Sequence, residues 1–299
     1  MKKIQIVRFF PVLFLLFSLI SCTEVEKEDS FSFAFITDIH LQPEQQAVEG
    51  FRKAISVIDS LDVDFVVTGG DLIRDALGKS YSRSDSLFNL YQEEIKAFDV
   101  PVYNTIGNHD IYGWYPESLS DSLHPEYGKK MYEKRIGEVY YTFTHKGWKF
   151  YILDSVHKMG KRGYRGFIDS TQIEWIRQDL ENVDATTPIV LSTHIPFISA
   201  WAQISWGSTV PMTPGGVIVN SREVLELFKD HNLKLALGGH HHILEDIYIR
   251  NVHFITVGAI SGNWWKGRRD LTEEGFLVVN CKKDEFDWEY IDYGWEVEE

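Results

Sequence analysis

The sequence predicts an α/β domain in which a largely parallel sheet is covered on both faces. Three observations carry this expectation. From Phe31 onward, β-rich runs alternate with segments of helical periodicity. The β-rich runs are apolar without interruption, as strands buried on both faces are. Five of them end in polar side chains able to ligate metal.

The first run, residues 31–37, leads into Asp38-Ile39-His40, and residues 45–60 then place Val48, Phe51, Ile55 and Ile58 at helical spacing. Residues 65–68 (Phe-Val-Val-Thr) read as a buried strand closing on Gly69-Gly70-Asp71. A helix over about 84–98 separates it from a third strand, 101–106, which closes on Gly107-Asn108-His109-Asp110. Residues 111–128, rich in Pro, Gly, Ser and Tyr, read as a long loop, and strands at 140–144 and 149–153 meet at Gly147. A helix over 170–180 precedes the strand 188–193 and His194. A Gly/Pro-rich loop, 196–220, leads to a helix near 221–230 and a strand at 233–237, which closes on Gly238-Gly239-His240-His241-His242. Strand candidates at 246–249, 253–257, 276–280 and 286–291 fill the tail. No repeat or linker divides residues 31–299, so one domain is expected there.

Composition narrows the function. With 30 Lys and Arg against 44 Asp and Glu, the formal charge of −14 argues against nonspecific binding to nucleic acid or anionic membrane. Two cysteines cannot build a disulfide scaffold, and no CxxC pair suggests a zinc ribbon. At the N-terminus, Lys2, Lys3 and Arg8 border an apolar run, 9–20, broken only by Pro11 and Ser18. That run is shorter than the roughly 20 residues needed to span a bilayer, so it reads as a secretory signal. It ends Leu19-Ile20-Ser21-Cys22, which resembles a bacterial lipobox; a plain cleaved signal is the alternative. The resemblance implies lipidation at Cys22, an acidic tether up to residue 30, and an extracytoplasmic protein anchored to the cell envelope. The acidic stretch after Cys22 also resembles export signals of some surface lipoproteins.

The strand ends carry the chemistry. Asp38/His40, Asp71, Asn108/His109, His194 and His240/His242 come from five separate segments. In open α/β sheets ligands bind at the carboxyl ends of strands, so these side chains are expected to converge. Carboxylate, amide oxygen and imidazole suit Mn, Fe, Zn or Mg. The donors are too many for one ion but suit two ions that share a carboxylate, an arrangement competent for phosphoryl transfer. The glycines before Asp71, Asn108 and His240 are expected to permit tight turns at a crowded centre.

In order and spacing, the blocks Asp38-Ile39-His40, Gly70-Asp71, Gly107-Asn108-His109-Asp110, His194 and Gly239-His240-His241-His242 resemble the calcineurin-like metallophosphoesterases. The resemblance implies an αββα sandwich, two mixed β-sheets packed together with helices outside. It implies that Asp38, His40, Asp71 and His242 bind a first metal, with Asp71 bridging. Asn108, His194 and His240 complete the second site, and manganese is the favoured ion. His241 is not a ligand of the pattern. His109 would face the substrate as phosphoryl stabiliser or general acid, while a metal-bridging hydroxide attacks phosphorus in line. Two departures stand out. Purple acid phosphatases carry a tyrosine ligand where this chain has Arg74, and a glycine where it has His40. Serine/threonine protein phosphatases orient the histidine with an aspartate three residues after the Gly-Asp aspartate; the nearest carboxylate here is Asp75, one place later.

Two basic segments are candidates for substrate contact. Residues 158–166 include Arg162 and Arg165, and residues 261–269 (Ser-Gly-Asn-Trp-Trp-Lys-Gly-Arg-Arg) include Trp264, Trp265, Lys266 and Arg268. Adjacent tryptophans and cations could stack a base or sugar and hold a phosphate. The expected activity is therefore phosphoester hydrolysis, diesters favoured over monoesters because the single-domain layout is similar to small bacterial phosphodiesterases of the family and because rim aromatics could seat a second substituent. The competing reading is a surface glycan- or ligand-binding lipoprotein with a non-catalytic metal site. A zinc hydrolase of the β-lactamase type would need an HxHxDH run, which the chain lacks.

Overall fold

Burial along the first strand decides the architecture. The computed structural model describes residues 30–297; the apolar run 9–20 and Cys22 lie outside the described residues. In β1 (Ser30–Ile36), Phe31, Phe33 and Phe35 point one way while Ala34 and Ile36 point the other, and both faces are buried. The three phenylalanines enter a layer shared with Phe65, Val67, Trp148, Phe150, Val190, Leu235 and Leu237. That layer is strongly aromatic: Phe33 stacks on Phe65 with centroids 5.2 Å apart, and Phe150 meets both edge-on at 5.4 Å.

The residues around that layer belong to two sheets, so the expectation of one largely parallel sheet is corrected. After β1 come α1 (Ala47–Asp59), β2 (Phe65–Thr68), α2 (Tyr81–Glu94) and β3 (Val102–Asn104). Then α3 (Lys130–Arg135) precedes the hairpin of β4 (Tyr141–His145) and β5 (Trp148–Ile152), and a small ribbon of β6 (Val156–Lys158) and β7 (Tyr164–Gly166). Next are α4 (Ser170–Leu180), β8 (Pro188–Ser192), α5 (Trp201–Trp206), α6 (Ser221–Leu227) and β9 (Asn232–Gly238). The chain closes with β10 (Glu245–Ile249), β11 (Val252–Thr256), β12 (Gly275–Lys282) and β13 (Glu285–Asp292). One sheet has the order β13-β12-β1-β2-β3 and the other β10-β11-β9-β8-β5-β4. Both are mixed. β1, β2 and β3 run parallel, but β12 returns antiparallel to β1; β5, β8, β9 and β11 run parallel, with β4 and β10 antiparallel at the edges.

Helices cover the outer faces, completing the αββα sandwich. The buried stripe of α1 (Ala47, Phe51, Ala54, Ile55, Ile58) shares a core with Ala34 and Ile36, and Ile173, Ile176 and Leu180 of α4 share it with Ile189 and Leu191. The start of α4 is fixed by Asp169, whose carboxylate accepts from the Gln172 amide at 2.9 Å. The loop read over 196–220 also holds α5, and stretches given no element from sequence hold α3 and the β6–β7 ribbon, all too short to show a period.

Candidate metal centre

The ends of both sheets meet at one place. Asp38 and His40 follow β1, Asp71 follows β2, Asn108 and His109 follow β3, His194 follows β8, and His240 and His242 follow β9. Backbone bonds stitch these ends together. The Asp38 amide donates to the Gly70 carbonyl at 3.0 Å, the His40 amide to Asp71 at 2.9 Å, and the Gly239 amide to His194 at 2.9 Å. The sheets are joined by the Ile260 amide on the Thr37 carbonyl at 3.0 Å and the His240 amide on Asp38 Oδ2 at 2.8 Å. Asp38, His40, Asp71, His240 and His242 all adopt left-handed backbone, with φ of 52, 46, 53, 73 and 59°. Such a concentration in a sparsely populated region is the mark of a site held by its surroundings.

The glycines act mainly by close approach rather than by turning. A Cβ on Gly107 would lie 2.1 Å from the Asp71 nitrogen, and one on Gly239 would lie 2.4 Å from Asp38 Oδ2. Only Gly70 of the glycines beside the ligands needs positive φ, at 89°.

Two donor sets result: Asp38, His40 and His242 in one, Asp71, His194 and His240 in the other. In the first, His242 Nε2 is 3.2 Å from Asp38 Oδ1 and 3.2 Å from His40 Nε2. In the second, His194 Nε2 is 3.2 Å from Asp71 Oδ2, 3.0 Å from Asn108 Oδ1 and 3.2 Å from His240 Nδ1. Asp71 Oδ2 also stands 3.7 Å from His40 Nε2, so one carboxylate oxygen faces both sets.

Proton placement shows that the donors suit cations. His194 Nδ1 donates to the Gly69 carbonyl at 2.8 Å and His242 Nδ1 to the Gly262 carbonyl at 2.5 Å. Each Nε2 lone pair is thereby turned inward, the tautomer that metal-binding imidazoles take. Asp38 Oδ1, fully buried, has no hydrogen-bond partner among the described residues. Burial works to raise the Asp38 pKa, yet the imidazoles of His242, His194 and His40 hold it well below the ordinary carboxylate range. Burial, reinforced by adjoining imidazoles, drives His40 and His240 well below the ordinary histidine value and so keeps them neutral. At His194 burial is outweighed by Asp71, which pushes its pKa up to about 9, so protons and cations compete for the same nitrogen.

His109 lies at the mouth. Its amide donates to Asp71 Oδ1 at 2.7 Å and its Nδ1 is 3.0 Å from Asp75 Oδ1. The carboxylate one place later than in the protein-phosphatase pattern therefore reaches the histidine. Burial lowers the His109 pKa, but Asp71 and Asp75 together raise it above the ordinary value. Asp110 is structural: it accepts from the amides of Leu72, Ile73 and Gly107 at 2.9, 3.2 and 2.8 Å.

The two adjacent tryptophans have opposite fates. Trp265 is 1% exposed, and its Nε1 donates to the Ile39 carbonyl at 2.9 Å, so it braces the β1 loop from within the core and does not face a substrate. Trp264 stacks on His40, centroids 3.7 Å apart, and meets His109 edge-on at 4.9 Å. Lys266 is exposed and Arg268 pairs with Glu273 at 3.0 Å. Arg162 pairs with Glu117 and lies over Tyr115, and Arg165 lies over Phe167. Of the two residues between them, Tyr164 is the one beside the centre, its ring 5.9 Å from His240. Spacing gave no signal for Tyr164 or for Arg74, whose guanidinium sits 4.0 Å from the Trp264 centroid.

Among solved structures the chain is similar to a dimetal phosphatase from Danio rerio, at 16% identity over 88% of this chain and 96% of that one, with a TM-score of 0.61. It is also similar to GAP50, the anchor in the inner membrane complex of Plasmodium, at 17% identity over 90% and 86% of the two chains, with a TM-score of 0.53. At these identities the likeness is one of fold. No curated protein matches it by sequence. The calcineurin-like phosphoesterase family model, in contrast, matches residues 31–244, a span that takes in every strand end feeding the two donor sets. By that match the chain belongs to the calcineurin-like phosphoesterases.

Proposed function

We propose that this protein is a metal-dependent phosphoester hydrolase in which Asp38, His40 and His242 hold one divalent cation, Asn108, His194 and His240 a second, and Asp71 both. The observation that carries the reading is that Asp71 Oδ2 faces both donor sets, 3.2 Å from His194 Nε2 and 3.7 Å from His40 Nε2. When bound, a pair of such cations supplies a hydroxide at neutral pH and draws charge from phosphoryl oxygens. The chain's own contributions are separable from that chemistry. Asp71 and Asp38 fix the spacing of the two sets, and the backbone carbonyls of Gly69 and Gly262 hold the imidazoles in their ligating tautomer. His109, kept protonated to higher pH by Asp71 and Asp75, is the general acid toward the leaving oxygen. Manganese is the ion we favour, as a borderline cation suited to mixed carboxylate, amide and imidazole donors.

The sequence-based preference for diesters rested on the single-domain layout and on rim aromatics able to seat a second substituent, and the structure bears on the second. Trp265 is withdrawn into the core and Trp264 is engaged by His40 and Arg74, which removes that support. We further read the protein as an envelope lipoprotein anchored through Cys22; Cys22→Ser is expected to move it from the membrane to the soluble fraction.

The decisive experiment measures hydrolysis of 4-nitrophenyl phosphate and bis(4-nitrophenyl) phosphate with added Mn²⁺. Turnover that depends on metal and disappears in Asp71→Asn supports the enzyme. Absence of turnover with Mn, Fe, Zn and Mg, together with tight glycan binding, would favour the binding protein instead.

A further inference from the structure

The Arg74 guanidinium has no polar partner among the described residues. Its guanidinium is half-buried, yet it makes no hydrogen bond or ion pair with any described residue. Three carboxylates lie near enough to act on its charge, Asp75, Asp71 and Glu44. Each is engaged elsewhere: Asp75 with His109 at 3.0 Å, Asp71 with the donor sets, and Glu44 with Arg83 at 2.6 Å. What holds Arg74 is Trp264. The indole has His40 at 3.7 Å from its centroid and the Arg74 guanidinium at 4.0 Å, and two groups that close must occupy opposite faces. The Trp264 backbone is left-handed, φ 62°, which is rare for a bulky residue. It is held so by bonds on either side, from Asn263 to Gly267 at 2.7 Å and from Trp265 to Ser261 at 2.6 Å. A planar fork of donors is thus fixed one ring's thickness from a metal-ligating imidazole, with its hydrogen-bonding edge free.

We propose that Arg74, seated on Trp264, takes an oxygen of a terminal phosphate and makes the centre select phosphomonoesters over diesters. This rests on the hydrolytic reading above. A monoester dianion has three non-bridging oxygens and a diester two. If the metal centre engages two of them, only the monoester has a third for the guanidinium, and only the monoester brings a second negative charge to it. Arg74 is a specificity-determining residue, and Trp264 is its positioning residue.

The test compares the manganese-supplied full chain with Arg74→Ala, Arg74→Lys, Trp264→Ala and Trp264→Phe. The readouts are kcat/KM for 4-nitrophenyl phosphate and for bis(4-nitrophenyl) phosphate, and calorimetric affinity for inorganic phosphate against dimethyl phosphate. Loss of a charge-assisted fork is expected to cost Arg74→Ala roughly 30-fold on the monoester and much less on the diester, lowering the monoester-to-diester ratio at least tenfold. Inorganic phosphate should weaken by about tenfold, and dimethyl phosphate by less. Arg74→Lys should recover part of the ratio, and Trp264→Phe should keep it where Trp264→Ala does not. A ratio unchanged in Arg74→Ala, with folding confirmed by thermal melt, overturns the proposal. If the wild type hydrolyses neither ester, the hydrolytic reading fails on its own. Phosphate affinity then still decides: an affinity that Arg74→Ala leaves intact, or no phosphate binding at all, overturns the assignment.

Discussion

Gly107→Ala adds a single methyl group at the most crowded point of the centre. Its Cβ would lie 2.1 Å from the Asp71 nitrogen, 2.2 Å from Asp71 Oδ1 and 2.9 Å from Asp71 Cα. Carbon atoms rest at about 3.5–4.0 Å, so relief requires a shift on the order of 1 Å. Two of the three are backbone atoms, and the third, the side-chain oxygen Asp71 Oδ1, is already held by the His109 amide at 2.7 Å. The shift therefore falls on the carboxylate that faces both donor sets. Misplacing a reacting centre by about 1 Å costs on the order of 100-fold in rate, and overpacking costs roughly 1–3 kcal/mol of stability. Manganese titration calorimetry and steady-state hydrolysis would measure the two consequences separately, with a thermal melt to confirm folding. Gly78→Ala is the control, since its nearest neighbour would be 3.6 Å away although Asp75 is close by. It is expected to stay within about twofold of wild type, as substitutions that create no clash do. Should Gly107→Ala keep both manganese affinity and rate within twofold, the close approach of these loops is not what sets Asp71.

Asp75→Asn removes one of the two carboxylates that raise the His109 pKa, so a rate that needs protonated His109 should fall at lower pH than in wild type; an unmoved alkaline limb would deny the general-acid role. Chelation should abolish turnover and lower the melting temperature by roughly 5–10 °C, restored by Mn²⁺, because a cation that binds only the folded state stabilises it by about 3 kcal/mol at a hundred times its Kd. Glu126 ties the 111–128 loop to Arg135 at 2.6 Å and to Lys134 and Tyr81, and these partners outweigh burial to depress its carboxyl to about 2. A depressed carboxyl stabilises the fold above its unfolded value near 4.5 and loses that stabilisation as pH falls towards 2. Glu126→Gln should thus cost about 2 kcal/mol in urea unfolding at pH 7, with the gap to wild type closing below pH 4.5.

What the sequence discloses here follows from how far each signal reaches. A helix such as α4 shows its period within its own eleven residues, and β2 its apolar run within four, so both are legible locally. Sheet number is not local. Phe31, Phe33 and Phe35 look alike whether helices or a second sheet cover them, and only their contact with Trp148 and Phe150 decides. The candidate metal ligands are legible because each closely follows a strand end and strand ends converge by topology. His109 and Asp75 are harder, since their 3.0 Å pairing depends on the path of the loop after β2 rather than on a count of residues. Trp264 and Trp265 are chemically identical in the sequence, yet left-handed backbone at both positions sends one indole to His40 and the other under the β1 loop. The same backbone seats Arg74 on Trp264, far from it along the chain. The residues that assemble a centre can thus be read from where strands stop, whereas its neighbours Arg74 and Trp264 sit on loops whose contacts only the folded chain creates.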